Sequence, residues 1–517
     1  MKKILPLISI FTLPAFLFAQ TFVEVAKVSA SDKDEEANYG NSVSISGNYA
    51  IVGSVAEDFD ENGNNYAEDA GAVYFVEKSG SGWQEVKKVV NSDRAAGDFF
   101  GSNVAISGSY AIVGAWGEDE DENGSNTMGQ AGSAYMYERI GGVWTEVQKI
   151  VASDRLGSDR FGRSVAIDGD IAVVGNDQST IYIFERNGGG IWEEVYWLDS
   201  NTGDHFGYSV SISGNTILVG ARRNSYDENE GDFEQYAGAA YFVNRDGNGN
   251  WNLGQKIVAA DREDGDNFGN AVAVNGDYAI VGAHFNGTNA NGAIVGLHSG
   301  AAYIYERSGG TWSQVKKALA PDGQYSDEFG ISVSISGDYA LVGLELEDFP
   351  APSQFEPGIG NGGAAYLFKR NSSGVWSYPA QLSASDKESN DHFGNALSIS
   401  GEHIIIGAIW DDFGSGQNTL SAAGSAYIFE QSSVGIEEAT NSVPLHLYPN
   451  PSNGLVAIEA DNVEDVRVYD DLGKVVYQES TSAASTLQLD LSHLPSALYT
   501  CEVRTPEGVG RQRLIIQ

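Results

Sequence analysis

The 517 residues are 42% hydrophobic, enough to bury more than one core, and 71 acidic against 30 basic residues leave a formal charge of −41. That excess excludes nucleic acid and anionic lipid as partners, because both would meet long-range repulsion. The single cysteine, Cys501, excludes an intramolecular disulfide, so the chain must hold together by packing, helped at most by bound ions.

Met1-Lys2-Lys3, an apolar run over residues 4–18 and then Ala19-Gln20 have the form of a secretory signal spanning 1–19. The apolar run is too short for a membrane span, and the mature protein is expected to be exported and soluble. A strand follows, Phe22-Val23-Glu24-Val25-Ala26-Lys27-Val28, ending in Ser31-Asp32. It matches Trp83-Gln84-Glu85-Val86-Lys87-Lys88-Val89 with Ser92-Asp93, a stretch deep inside the next repeat.

From Tyr39-Gly40 onward one phrase recurs seven times, opening again at Phe100-Gly101, Phe161-Gly162, Phe206-Gly207, Phe268-Gly269, Phe329-Gly330 and Phe393-Gly394. Self-similarity at a fixed period marks a solenoid, propeller or array. In the second copy NVAISGSYAIVG reads as two strands around a Gly108-Ser109 turn, GSAYMYE as a third and the run after Trp144 as a fourth. Four antiparallel strands per repeat, apolar on both faces, predict one propeller blade each. The fold class is therefore all-β: a seven-bladed β-propeller over 21–430. The seventh copy lacks a fourth strand, and residues 21–31 are expected to supply it, closing the ring and removing two open sheet edges.

Between second and third strands lie long polar loops. Asp58, Asp60, Asn62 and Asn64, with Gly63 sixth and Asp69 twelfth, have the spacing of a calcium loop. The second loop offers Asp119, Asp121 and Asn123 with Gly124, but Gln130 at the twelfth place, and later loops lose the pattern. Calcium is the one cofactor this suggests. Asp98, Asp159, Asp204, Asp266, Asp327 and Asp391 each stand two residues before the phenylalanine, a recurrence that points to turn capping. His205 and His392 have no second histidine at a ligand spacing. Antiparallel topology gathers the long loops on one rim, where Trp116, Phe285, Phe349, Phe355 and Trp410 offer stacking contacts for a glycan or protein, or else pack beneath their own loops.

Residues 431–443 read as a linker, and a second all-β pattern, a small β-domain, occupies 444–517. It runs from Tyr448-Pro449-Asn450-Pro451-Ser452-Asn453-Gly454 through the strand pair VYDDLGKVV to the closing Arg513-Leu514-Ile515-Ile516-Gln517. Cys501 lies on an apolar strand, as a core residue would.

The aromatic-Gly opening, the closing VGA and the GAAYIY third strand together resemble the FG-GAP repeats of integrin α-subunit propellers and their bacterial relatives. That family often carries calcium between its first two strands. Here the connection is a tight turn such as Gly276-Asp277, so those sites do not transfer. The tail is similar to the C-terminal sorting domain of the type IX secretion system of Bacteroidota, which implies a small immunoglobulin-like β-sandwich over 444–517 and that machinery as a partner, with release or surface attachment. Fold alone does not give the ligand. The expected function is a secreted or cell-surface, non-enzymatic binding or adhesion protein whose acidic loop face engages a glycan or protein. The alternatives are a carbohydrate-active hydrolase or lyase using non-repeated acids such as Asp227, Glu345, Glu347 and Asp411, and a passive surface-layer or matrix component.

Overall fold

In the first blade, four strands, β2 (Tyr39–Ser46), β3 (Tyr49–Ser54), β4 (Ala72–Ser79) and β5 (Gly82–Val89), pair antiparallel in the order of the chain. The computed structural model describes residues 22–80, 82–200, 203–288, 298–321, 326–349, 358–413, 420–432, 445–448, 452, 454–469, 475–495, 497–506 and 508–516, and no helix occurs among them. The expected signal at 1–19, Phe355 and nearly all of the linker 431–443 lie outside the described residues. Numbered in chain order, the following sheets repeat the first: β6–β9 within residues 100–150, β10–β13 within 164–199, β14–β17 within 206–257, β18–β21 within 272–318 and β22–β25 within 333–382.

The seventh sheet confirms the expected clasp. β26 (Phe393–Ser400), β27 (His403–Ala408) and β28 (Ser425–Gln431) are completed by β1 (Phe22–Val28). Phe22 faces Gln431 and Val28 faces Ala426 across an antiparallel ladder, with one bulge between Glu24 and Ala26. The first strands meet in a closed ring: β2 touches β6, each touches the next in turn, and β26 touches β2.

Middle strands are buried on both faces because each blade is covered by two neighbours. Val52, Tyr74 and Val76 pack with Ile405 and Ile428 of the seventh blade. The alternate residues Ile51, Val73 and Phe75 pack with Phe100, Val104 and Trp144 of the second. The strand period of two thus divides every blade between two cores.

What brings blades this close is glycine. A Cβ on the closing glycine of each second strand, Gly53, Gly114, Gly175, Gly220, Gly282, Gly343 or Gly407, would stand 2.0–2.1 Å from the carbonyl oxygen of the next blade's opening glycine. Gly407 meets Gly40 in this way, so the contact runs round the whole ring. The opening glycines themselves hold φ between +86° and +98°, where a side chain is strained.

Hydrogen bonds follow the same path. The last residue of each first strand accepts from the turn amide of the next blade: Ser46 from Gly108 at 3.0 Å, Ser107 from Gly169 at 3.1 Å and Asp168 from Gly214 at 2.7 Å. Ser213, Asn275, Ser336 and Ser400 do the same for Gly276, Gly337, Gly401 and Gly47. An oxygen-bearing residue ends every first strand for this reason.

The propeller forms one compact unit, Thr21–Gln431, and residues of 432–517 form another. In the latter, β29 (His446–Tyr448), β30 (Leu455–Tyr469), β32 (Ala497–Thr505) and β33 (Gly508–Ile516) pair in that order, and β31 (Val475–Asp490) pairs with β30. Register breaks in the long β30–β31 ladder fold it into a small sandwich around Ile458, Val466, Val468, Val503 and Leu514. Cys501 is buried there, and burial pushes its thiol up to about 12, which makes it a core residue.

Gly114→Ala is expected to cost about 3 kcal/mol or more, because a backbone atom on each side must yield. Gly129→Ala, at a loop glycine with open space around it, should stay within about 0.5 kcal/mol. Urea denaturation of the two variants checks both.

Candidate functional site

The residue after each opening glycine lies beside the axis: Asn41, Ser102, Arg163, Tyr208, Asn270, Ile331 and Asn395 all line one cavity of about 550 Å³. One such residue comes from each blade: asparagine in three, and serine, arginine, tyrosine and isoleucine in the other four. One residue further along, the job is closure. The hydroxyls of Ser42, Ser164, Ser209 and Ser332 donate to the opening-glycine carbonyls of the next blades at 2.7–2.9 Å. The amides of Asn41, Asn103, Asn270 and Asn395 likewise reach a neighbouring carbonyl.

Two further sets of positions crowd this end of the axis. The residue before each opening aromatic, Asn38, Phe99, Arg160, His205, Asn267, Glu328 or His392, has φ of +54° to +60° in all seven blades. Asn and His suit that conformation; a phenylalanine, arginine or glutamate is costly there, so Phe99, Arg160 and Glu328 are held at an energetic expense. The second residue past the closing glycine is Val55, Trp116, Asp177, Arg222, His284, Glu345 or Ile409 in the seven blades. Trp116 and Val55 line the axial cavity.

The two sets touch each other. Phe99 stacks on Trp116 at 4.3 Å, and the Arg160 guanidinium lies 5.1 Å from the Trp116 ring. Arg222 lies 3.7 Å over Tyr208. Arg223 donates to His205 Nε2 at 3.2 Å. On the far blades, burial and the neighbouring Glu345 raise the Glu328 carboxyl to about 7. His392 Nδ1 stands 3.8 Å from Glu345, and its ring 4.2 Å from Trp410.

The rim aromatics have different fates. Trp116 belongs to the axial cavity, and Trp410 is 47% exposed. Phe285 is half-buried between His284 and His298, with ring centroids at 3.9 and 4.5 Å. Phe349 packs against its own blade's core with Lys387 over it at 4.1 Å, the self-packing alternative.

The calcium-like loops are closed by their own amides. Asp60 accepts from the backbone N–H of Asn62 and Asn64, both at 2.9 Å, and from the Asn65 side chain at 2.5 Å. Asp58 accepts from the Asp69 amide at 2.8 Å. Asp121 and Asp119 repeat this with the amides of Asn123, Ser125 and Gln130 and the Asn126 side chain. The twelfth residue contributes its N–H, which is why Gln130 serves as well as Asp69. Asn62 and Asn123 likewise take part through their backbone. These bonds hold Asp60 and Asp121 below the usual carboxylate range. Among the described residues no group of three or more His, Cys, Asp or Glu is placed to hold a metal ion.

Three of the four acids read as non-repeated prove to be repeated. Glu347 and Asp411 stand four residues past a closing glycine, as do Glu57 and Glu118, and Asp227 stands seven past, as do Asp60 and Asp121. Unequal loops hid the equivalence. Glu118 and Lys149 pair at 3.3 Å beside Asp93 and the Tyr135 hydroxyl, and Asp411 and Lys27 at 2.6 Å beside Asp386 and Tyr427. Asp227 accepts the amides of Asn229 and Gly231, capping its turn. Glu345 alone occupies a varied position. The acids before the opening aromatic cap turns as expected: Asp98, Asp159, Asp266 and Asp391 accept amides three residues earlier at 2.5–3.0 Å.

Seven stretches, 22–76, 83–137, 144–184, 198–243, 251–305, 312–368 and 376–429, match the FG-GAP repeat family, and 446–517 match the secretion system C-terminal sorting domain. No curated protein matches the chain. A crystal structure of a protein from Lactobacillus plantarum is 12% identical, with 67% of this chain and 86% of that chain covered, at a TM-score of 0.42, too slight a likeness to carry an argument.

Two measurements follow from the buried carboxyls and the loops. Burial and the nearby Glu118 raise Asp98 from 3.8 to about 7, so the folded state holds its proton where the unfolded state has lost it. Stability from this group is therefore greatest at low pH and falls as pH rises from about 4 to 7. Against Asp98→Asn, the wild type should lose on the order of 1–2 kcal/mol between pH 5 and 7.5, read by urea denaturation. Chelator should leave the melting temperature unchanged, because the loop carboxylates already have partners. A rise of several degrees with millimolar calcium would reinstate a cation role for Asp58, Asp60 and Asp69.

Proposed function

The chain belongs to the FG-GAP repeat family and carries a sorting domain recognised by the type IX secretion system, and from this exported protein's geometry we propose a non-enzymatic binding role. The sorting domain indicates export, with secretion or outer-surface attachment. The binding face is the end of the propeller where the opening glycines cluster, and the ligand is an extracellular glycan or protein. The observation that supports this is the contrast between repeat positions. The glycine contacts that close the ring recur in all seven blades, whereas the positions at the axial mouth vary from blade to blade and include Trp116, Tyr208, Arg163, Arg222 and His392. Side chains free of a scaffold duty on a rigid frame are where recognition resides. A passive matrix component would need no such group, and two of the four acids reserved for hydrolysis have other duties: Asp227 caps a turn and Asp411 pairs with Lys27.

The test is a glycan and matrix-protein array probed with the full chain, beside Trp116→Ala and Trp410→Ala. Binding of a defined ligand, reduced at least fivefold by one of these variants, is the expected result. Signals indifferent to both variants, or turnover of a polysaccharide panel, would overturn the proposal.

A further inference from the structure

In a chain with a formal charge of −41, four arginines lie at the axial mouth: Arg163 and Arg222 over Tyr208, Arg160 over Trp116, and Arg223 on His205. Arg222 stands 3.7 Å from the Tyr208 ring centroid and Arg163 5.2 Å. Among the described residues only one carboxylate pairs with the four. Asp177 reaches Arg160 at 3.0 Å and Arg163 at 3.7 Å. Four guanidinium groups against one carboxylate leave an excess of three positive charges on one small surface.

The cluster disturbs its surroundings as an unneutralised charge would. Burial, with Arg223 and Arg163 beside it, lowers the Arg222 pKa. His284 is driven down to about 3 by burial and by Arg222, and His205 is lowered by burial and by Arg223. Accepting from Arg223 through Nε2 places the His205 proton on Nδ1. That Nδ1, Arg222 Nε and Arg160 Nε are all buried with no hydrogen-bond partner. Half-buried donors without acceptors, and like charges without counterions, both destabilise a fold, and an anion arriving from outside relieves both at once.

We propose that the axial mouth binds a carboxylated saccharide, its carboxylate held by Arg222 and Arg163 and its ring against Tyr208 or Trp116. The proposal rests on the binding role assigned to this face. Guanidinium groups match a carboxylate with paired N–H donors, and aromatic faces take the apolar side of a sugar ring. The cavity of about 550 Å³ suits a short oligosaccharide and is far too small for a folded domain. Its remaining lining is matched to hydroxyls: Asn395 Oδ1, Asn270 and Ser102 surround it, and Asn395 Oδ1 is buried without a partner. An acidic peptide would satisfy the arginines but leave the rings and these polar edges unused.

The experiment is titration calorimetry on the full chain with trigalacturonate, its methyl ester and hexaglutamate. Trigalacturonate is expected to bind, more weakly as salt rises, and the neutral ester at least tenfold less tightly. Arg222→Gln and Arg163→Gln should each weaken binding about tenfold or more while leaving the melting temperature equal or higher, since each relieves cation crowding. Arg163→Lys, which keeps the charge and loses the fork, should fall between. Equal binding of the ester, tighter binding of hexaglutamate, or indifference to both glutamine variants would overturn the inference. If array ligands depend on Trp116 while trigalacturonate does not bind, this inference falls and the binding role stands. Silence in both experiments removes both.

Discussion

The contact on which the rest of the structure depends is backbone against backbone: the closing glycine of one blade against the opening-glycine carbonyl of the next. It sets the distance between neighbouring sheets, and at that distance the middle strands lose water on both faces. The apolar side chains of VGA and GAAYIY then become core on either side. The dependence is mutual round a ring, so the contact between Gly407 and Gly40 matters to all seven interfaces. With no disulfide available, closure rests on this packing, on the oxygen-to-amide bonds at the far end of each first strand, and on β1.

The family repeat and the structural blade are out of phase by one strand. Each matched stretch runs from a fourth strand to the third strand of the following blade, so 22–76 begins with β1 and 376–429 ends with β28. A chain of whole repeats therefore leaves a lone strand at one end and a three-stranded sheet at the other, and each completes the other. This was legible from the sequence, because Phe22 to Val28 visibly repeats the run from Trp83 to Val89.

The site was less legible. Asn41, Ser102, Arg163 and Tyr208 occupy a repeat position, and among repeats a varying residue looks like drift until the axis shows that they face one cavity. The arginine cluster was hidden for a second reason: Arg160 and Arg163 precede Arg222 and Arg223 by about sixty residues, and only the ring brings Arg163 and Arg222 to one tyrosine. Counting from the closing glycine would have shown that Glu347, Asp411 and Asp227 are repeated. The loop carboxylates carry calcium-like spacing because an Asx-capped turn and a cation loop both demand oxygen at alternate positions and a glycine at the bend; in this structure Asp60 accepts from the amides of Asn62 and Asn64. Non-glycine residues in the left-handed region before each opening aromatic had no sequence signature, and they place the most varied side chains at the mouth.

Closure as a single cooperative ring is the claim that bears most weight, and native-state amide hydrogen exchange tests it most directly. The prediction is that amides of β1 and β28 exchange with the same opening free energy as those of β3 and the second strands of the middle blades, all set by global unfolding. Exchange of β1 and the seventh blade at a much lower free energy, with the middle blades still protected, would contradict it and describe a linear array with a loose end.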